Sequence, residues 1–240
     1  MESKSNISVC FTPDQFEKYA DEKSTVVIVD LLRATSVIST AFENGINSVI
    51  PVQTLKEALE YKDKEGYILA AERNTKPVEG FAYGNSPYHY INSGIKGKTL
   101  VLTTTNGTKA IHLAKKHKVI TASFINIDAV AKYLIEANNN VIILCSGWKN
   151  LFNLEDPIFA GVLSSLLLNS GNFKSNCDAL LAAQQLYANA KDDIFLFLNN
   201  SSYRKRNNSE QVIKDTKFCL SPTIKSNIVP LFVNGKLIKA

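Results

Sequence analysis

Short apolar, β-branched runs alternate with longer runs of helical period along most of this chain. Residues 24–30 (STVVIVD) are a continuous apolar run ending in an acid, the pattern of a strand buried on both faces. Residues 33–45 (RATSVISTAFENG) have apolar positions at helical spacing and close on Gly45, a C-cap residue. The alternation continues with strands at 47–52 and 67–73 around a helix at 54–66, where Thr54 and Glu57 have capping-box spacing. After a gap it resumes: strand 98–105, helix 107–117, strand 118–123, helix 126–138, strand 140–147. Two apolar helices, 155–171 and 177–190, follow. Towards the C-terminus the period weakens, and a helix at 194–206 and a closing strand at 229–235 are expected. The gap, residues 74–98, has no clear period. Ordinary connections run about four to six residues, so a stretch this long is expected to be functional or a lid.

Strands alternating with helices predict an α/β fold, three layers (α/β/α) around a mostly parallel sheet. Residues 24–95 and 96–240 read as two similar βαβα halves of one domain, with the turns at 30–36 and 104–108 in equivalent places.

Composition narrows the class. The chain has 240 residues, 45% hydrophobic and 20% charged, enough for an ordinary core without staples. The net charge of +5 is mild and spread out. The densest basic run, YRKR at 203–206, has no RNA-binding or helix-turn-helix signal beside it, so it reads as a solvated face, and no nucleic-acid partner is expected. A positive field does suit a small anionic substrate. Cys10, Cys145, Cys177 and Cys219 are widely spaced, which points to a reduced, cytoplasmic protein. The N-terminal residues lack a signal-peptide core, and no apolar run approaches 18 residues, so neither secretion nor a membrane partner is expected. Homo-oligomerisation is left open.

Ligands of parallel α/β sheets bind at the carboxyl ends of strands, and polar residues mark those ends here. Asp30 and Arg33 follow the first predicted strand, Glu72 closes the third, and Thr104, Thr105 and Asn106 close the fourth. Glu155 and Asp156 open the helix after the last strand of the alternating series. In TTNGT (104–108), Gly107 allows unusual torsions or close approach, while Thr104, Thr105, Asn106 and Thr108 offer caps and donors. At a helix start such a turn either caps the helix or cradles an anion. Asp30 is costly to bury unless paired or metal-bound. Arg33 can pair with it, or can fork onto phosphate while Asp30, Glu72 and Asp156 hold a divalent cation; oxygen ligands suit magnesium.

Common phosphate signatures fail. A haloacid dehalogenase loop needs a second Asp where Leu32 stands, and a tyrosine-phosphatase loop starting at Cys145 needs Arg where Leu151 stands. GIKGKT (94–99) lacks the first glycine of a P-loop, which falls at Asn92, and leads into a strand. His89, His112 and His117 lack metal-ligand spacing. The last two read as solvated, and His89 stays a weak acid/base candidate.

Taken together, VVIVDLLRATSVISTAFENG, AAERNTKPVEGFAYGNSP, GKTLVLTTTNGTKAI, SFINIDAVAKYL, CSGWKNLFNLEDPIFAG and DTKFCL resemble the 2-phosphosulfolactate phosphatase family, in the family's order and over nearly the whole chain. The resemblance implies an α/β fold unlike the common phosphatase superfamilies. It also implies magnesium-dependent hydrolysis of 2-phospho-3-sulfolactate to 3-sulfolactate and phosphate, a step towards coenzyme M in the family's best-known setting. Carried over by motif, the site comprises Asp30, Arg33, Glu72 and Asp156 as catalytic or metal residues. Asn85, Ser86, Thr104, Thr105, Asn106, Gly107, Thr108, Asn126 and Glu155 are carried over as substrate-binding residues. Two departures stand out: AERNTK lacks the glycine that often follows the Arg, and SSYRKR places Tyr203 where many members carry His-Gly. A phosphatase with another substrate, or a non-catalytic binder of a phosphorylated or sulfonated metabolite, are the alternatives.

Overall fold

The computed structural model describes residues 4–73 and 76–240. Its strands are β1 (Ser5–Cys10), β2 (Thr25–Val29), β3 (Ser48–Pro51), β4 (Tyr67–Arg73), β5 (Lys76–Pro77), β6 (Thr99–Thr103), β7 (Lys118–Thr121), β8 (Val141–Cys145), β9 (Phe173–Lys174), β10 (Pro230–Val233) and β11 (Lys236–Lys239). The helices are α1 (Phe16–Tyr19), α2 (Ala34–Glu43), α3 (Leu55–Leu59), α4 (Gly107–Leu113), α5 (Ile127–Ala137), α6 (Glu155–Asn169), α7 (Asp178–Ala190), α8 (Ile194–Phe197), α9 (Ser202–Arg206) and α10 (Glu210–Cys219).

The strands form one sheet in the order β5-β4-β6-β3-β11-β10-β7-β2-β8-β1-β9. It holds two parallel blocks. In one, β6 lies between β4 and β3; in the other, β2 lies between β7 and β8, and β8 continues to β1 and β9. The antiparallel hairpin β10–β11 joins the blocks, β11 against β3 and β10 against β7.

The apolar run of β2 is continuous because each face has its own core. Val27 and Val29 face α5, α6 and α7 together with Ile7, Ile120 and Ile143. Val26 and Ile28 face α2 and α4 together with Ile142, Leu100 and Val49. On the opposite face of β6, Val101 packs with Ala58 of α3. Helices thus cover both faces, the expected α/β/α layering.

The sheet is strongly curled. Four strands separate β6 from β2 in the sheet order, which laid flat is roughly 24 Å at ~4.8 Å per strand. Yet the first residue of α4, which follows β6, touches Asp30 at the end of β2. The curl wraps α2, whose residues 34–42 are all buried. A helix so rich in hydroxyls survives there because they are satisfied by the chain itself. Thr35 Oγ1 donates to Asp30 O, Ser36 Oγ to Leu31 O, Ser39 Oγ to Thr35 O and Thr40 Oγ1 to Ser36 O, all within 3.0 Å.

Several expectations need correction. The helix expected at 194–206 breaks into α8, a 3-10 turn at Leu198–Asn200 and α9, because Ser201 turns extended and caps α9 by accepting the Arg204 N–H. The helix expected at 54–66 stops at Leu59; Thr54 caps it, while Glu57 reaches back to the Gln53 N–H. Within the aperiodic stretch a 3-10 turn forms at Pro87–His89, and Tyr90 is buried with its hydroxyl donating to Gly84 O at 2.8 Å. His89 Nδ1 accepts the Gly84 N–H at 2.9 Å, which gives this histidine a structural part in that turn. His112 is not simply solvated: its Nε2 lies 2.7 Å from Pro51 O. His117 packs edge-on against Phe16. Asn74 and Thr75, where the family's glycine is missing, lie outside the described residues. No helix among the described residues is long and apolar enough to cross a membrane.

Candidate active site

The curl brings the ends of β2, β4, β6 and β8 to one narrow polar cavity. Asp30, Arg33, Glu72, Asn85, Thr105, Asn106 and Glu155 all line it, along with Leu32, Gly147, Trp148, Asn153 and Tyr203. Seven residues singled out from sequence therefore meet in space, although they span more than half the chain.

Asp30 is nearly buried, and its Oδ1 accepts the Ala34 N–H at 3.4 Å. The Gly107 N–H also reaches its carboxylate. The approach is so close that a Cβ on Gly107 would stand 2.7 Å from Asp30 Oδ2 and 2.9 Å from Ala34 Cβ. This is the physical reason for glycine in TTNGT. Burial, then the neighbouring Glu72, push the Asp30 carboxyl up to about 6, against the pull of the two backbone donors and Arg33. Glu155 is buried beside the cavity and is pushed up to about 7, chiefly by burial and further by Asp30.

The other residues of the TTNGT turn divide their work. Thr104 and Thr108 close on each other: Thr108 Oγ1 donates to Thr104 O at 3.1 Å, and the Thr108 N–H donates to Thr104 Oγ1 at 3.3 Å. With the Gly107 amide on Asp30, two of the amides expected to cradle an anion are already engaged. Thr105 Oγ1 is buried without a partner. Asn106 Oδ1 accepts the Lys149 N–H at 2.9 Å, tying this turn to the loop after β8.

Asp156 lies behind the cavity wall. Its Oδ1 accepts the Leu31 N–H at 2.9 Å, and its Oδ2 accepts the Gly147 N–H at 3.2 Å and Asn153 Nδ2 at 2.8 Å. Both oxygens are thus used to pin the turns after β2 and β8 to the start of α6. Ser86 likewise stands one layer back, donating to Asp215 Oδ1 at 2.7 Å. Asn126 is away from the cavity. It closes a capping box with Ser123 and donates from Nδ2 to Thr121 O and Ile228 O.

Arg33 pairs with Asp215 of α10, not with Asp30, and both side chains are buried. Asp215 also accepts from Gln211 Nε2 at 2.9 Å. Sequence reasoning did not single out Asp215, although it opens the quoted DTKFCL. The available signal was an acid at helical spacing from Val212 and Cys219, which α10 buries together with Asp215 and Thr216. Tyr203 is buried with its hydroxyl unpartnered, and burial pushes its pKa well up. The Thr216 hydroxyl beside it already donates to Val212 O.

Among the described residues no group of three or more His, Cys, Asp or Glu forms a ready-made metal cage. The cavity nevertheless suits a hard cation. Asp30 and Glu72 repel each other across it, and the Asn85 and Asn153 Oδ1 atoms are buried acceptors without donors. Magnesium is ordinarily held by one or two carboxylates, with water and substrate oxygens completing its shell. The donor set present fits that habit.

An α/β sheet with acids, amide oxygens and an arginine gathered at its strand ends is the equipment of an enzyme that cleaves phosphoric monoesters. The chain belongs to the 2-phosphosulpholactate phosphatase family, whose model matches residues 10–235. It is 37% identical over 218 residues to a probable 2-phosphosulfolactate phosphatase of Caldanaerobacter subterraneus subsp. tengcongensis, covering 89% of this chain and 90% of the relative. A protein of the same description from Thermotoga maritima is 39% identical over 217 residues, covering 90% and 92%. One from Clostridium acetobutylicum is 34% identical over 235 residues, covering 97% and 99%.

Proposed function

We propose that this protein hydrolyses 2-phospho-3-sulfolactate to 3-sulfolactate and inorganic phosphate with the help of magnesium. The observation that carries this reading is the convergence of Asp30, Glu72, Glu155 and Arg33 on one cavity in a chain of this family. Asp30 and Glu72 are the carboxylates that would hold the cation, with Asn85 or Asn153 Oδ1 as a neutral oxygen ligand. Bound there, magnesium supplies Lewis-acid polarisation of a phosphoryl oxygen and lowers the pKa of a bound water.

The chain's own groups do the rest. Arg33, held rigid by Asp215, offers its remaining guanidinium donors to the phosphoryl oxygens. Thr105 Oγ1 is a buried, unpartnered donor on the same cavity, and Tyr203 lines it with its hydroxyl beside Thr216. Water attacks phosphorus, the ester P–O bond breaks, and the leaving oxygen takes a proton from Glu155, whose carboxyl titrates near neutrality; the proton shed by the attacking water as phosphate forms restores the Glu155 carboxyl. Tyr203 is too weak an acid to shuttle protons at neutral pH. At the position where His-Gly is frequent in the family it serves as a donor only. The four free cysteines agree with a cytoplasmic setting.

The test is phosphate release from 2-phospho-3-sulfolactate. Activity is expected with magnesium and lost on chelation. Glu155→Gln is expected to lower kcat by about 10²–10⁴-fold. Turnover indifferent to chelation would remove the metal from the reading, and full activity in Asp30→Asn would remove Asp30.

A further inference from the structure

We propose that Arg206, stacked on Trp148 at the mouth of the cavity, is the specificity residue that receives the anionic group of the substrate remote from its phosphate. The inference rests on the phosphatase reading and deepens it. A substrate carrying a phosphate together with a sulfonate and a carboxylate brings more negative charge than the cavity interior can answer. The walls are acidic, and the one arginine among the described lining residues, Arg33, shares its charge between Asp215 and the phosphate. Further cationic recognition has to come from the rim.

The rim is built for it. Trp148 lines the cavity, and the Arg206 guanidinium lies over its indole with Cζ 4.4 Å from the ring centroid. Lys149 Nζ lies 5.5 Å from the same centroid. Neither cation forms an ion pair among the described residues. Arg206 acts electrostatically on Glu155, a lining residue, so its charge is felt inside the cavity. Stacking on an aromatic face fixes the plane of a guanidinium and leaves its edge donors free, which suits a planar carboxylate or a sulfonate. A flexible lysine gives no such fork, so Arg206 is assigned the recognition and Lys149 a supporting field. The position of Arg206 follows from the short helix α9, which starts at the Ser201 cap, places Tyr203 in the cavity wall and ends at the rim.

The experiment compares 2-phospho-3-sulfolactate with glycerol 2-phosphate, a monoester without a second anionic group. Arg206→Gln is expected to lower kcat/KM for the sulfonated ester about 10–100-fold, mainly through KM, as befits loss of a charge-assisted contact. For glycerol 2-phosphate the expected change is under about threefold. Arg206→Lys is expected to recover only part of the loss, because it lacks the fork. Trp148→Ala, which removes the surface on which Arg206 is laid out, is expected to erode the same preference. Thermal melts check that each variant folds. Equal losses on both substrates, or no loss on either, would overturn the assignment. Calorimetric titration of the two esters into wild type and Arg206→Gln reads the preference without turnover. An inactive wild type would therefore defeat the phosphatase reading alone, while a preference unchanged by Arg206→Gln would defeat this one.

Discussion

At Gly107 the absence of a side chain matters more than any side chain near it. Its amide points at Asp30, and its Cα stands where only a hydrogen fits, because an added methyl would lie 2.7 Å from Asp30 Oδ2. Gly107→Ala must therefore push the Asp30 carboxylate or the start of α2 aside. Since misplacement of a reacting group by about 1 Å can cost on the order of 10²-fold, kcat is expected to fall by about that factor. The packed site is expected to lose about 1–3 kcal/mol of stability, as overpacking does elsewhere. Steady-state kinetics and denaturant unfolding check the two together. A variant with wild-type kcat would show that Asp30 need not stay where this structure holds it. TTNGT drew notice as an anion cradle from its composition. Its glycine makes room for a carboxylate, and two of its threonines close on each other.

Among the elements, α2 and α10 are the pair that the alternation of strands and helices says least about. Helix α2 begins directly after Arg33, and α10 lies 177 positions further on, counting from Arg33 to Glu210. Their link is the buried Arg33–Asp215 pair, extended by Ser86 and Gln211. Breaking such a pair strands an uncompensated charge, so Asp215→Asn is expected to cost about 3–5 kcal/mol in equilibrium unfolding. It should also weaken substrate binding as Arg33 loses its brace. If Arg33→Met/Asp215→Asn is no less stable than Asp215→Asn alone, the stranded arginine accounts for the cost. If the double variant falls much further, Arg33 has other partners that matter. Sequence periodicity revealed α2 and α6 because apolar residues recur along them at helical spacing. It missed α10 because the face turned inward carries Asp215 and Thr216 beside Val212 and Cys219. It missed β1 because SNISVC mixes polar residues into a short strand.

Across the whole molecule, buried carboxyl groups around the cavity set a pH dependence. Asp30 titrates near 6 and Glu155 near 7, both above the ordinary carboxylate range. Folded protein thus holds protons that the unfolded chain has already released between about pH 4 and pH 7, so stability contributed by these groups falls as pH rises through that window. Metal-free protein is expected to melt at lower temperature at pH 8 than at pH 5.5. Magnesium is expected to raise the melting temperature more at pH 8, where the Asp30 carboxyl is charged and able to take it. A melting temperature that rises steadily from pH 5.5 to 8 without metal would contradict the buried-acid account.

The sequence by itself determined the parts that local physics controls. The β-branched run of β2, the amphipathic α5 and the Thr54 cap are written in period and side-chain type, and so is the class of polar residue at each strand end. Resemblance of whole motifs added the family, and most of the residues carried over line or brace one cavity. Tertiary structure alone decided how those strand ends meet. The C-terminal hairpin β10–β11 joins two parallel blocks into one sheet, and its curl closes a distance that a flat sheet would leave open. No local pattern encodes that closure, because it arises from the packing of α2 and α4 against strands remote in sequence. The same packing decided which acids face the cavity and which, like Asp156 and Asp215, spend their oxygens holding other groups in place.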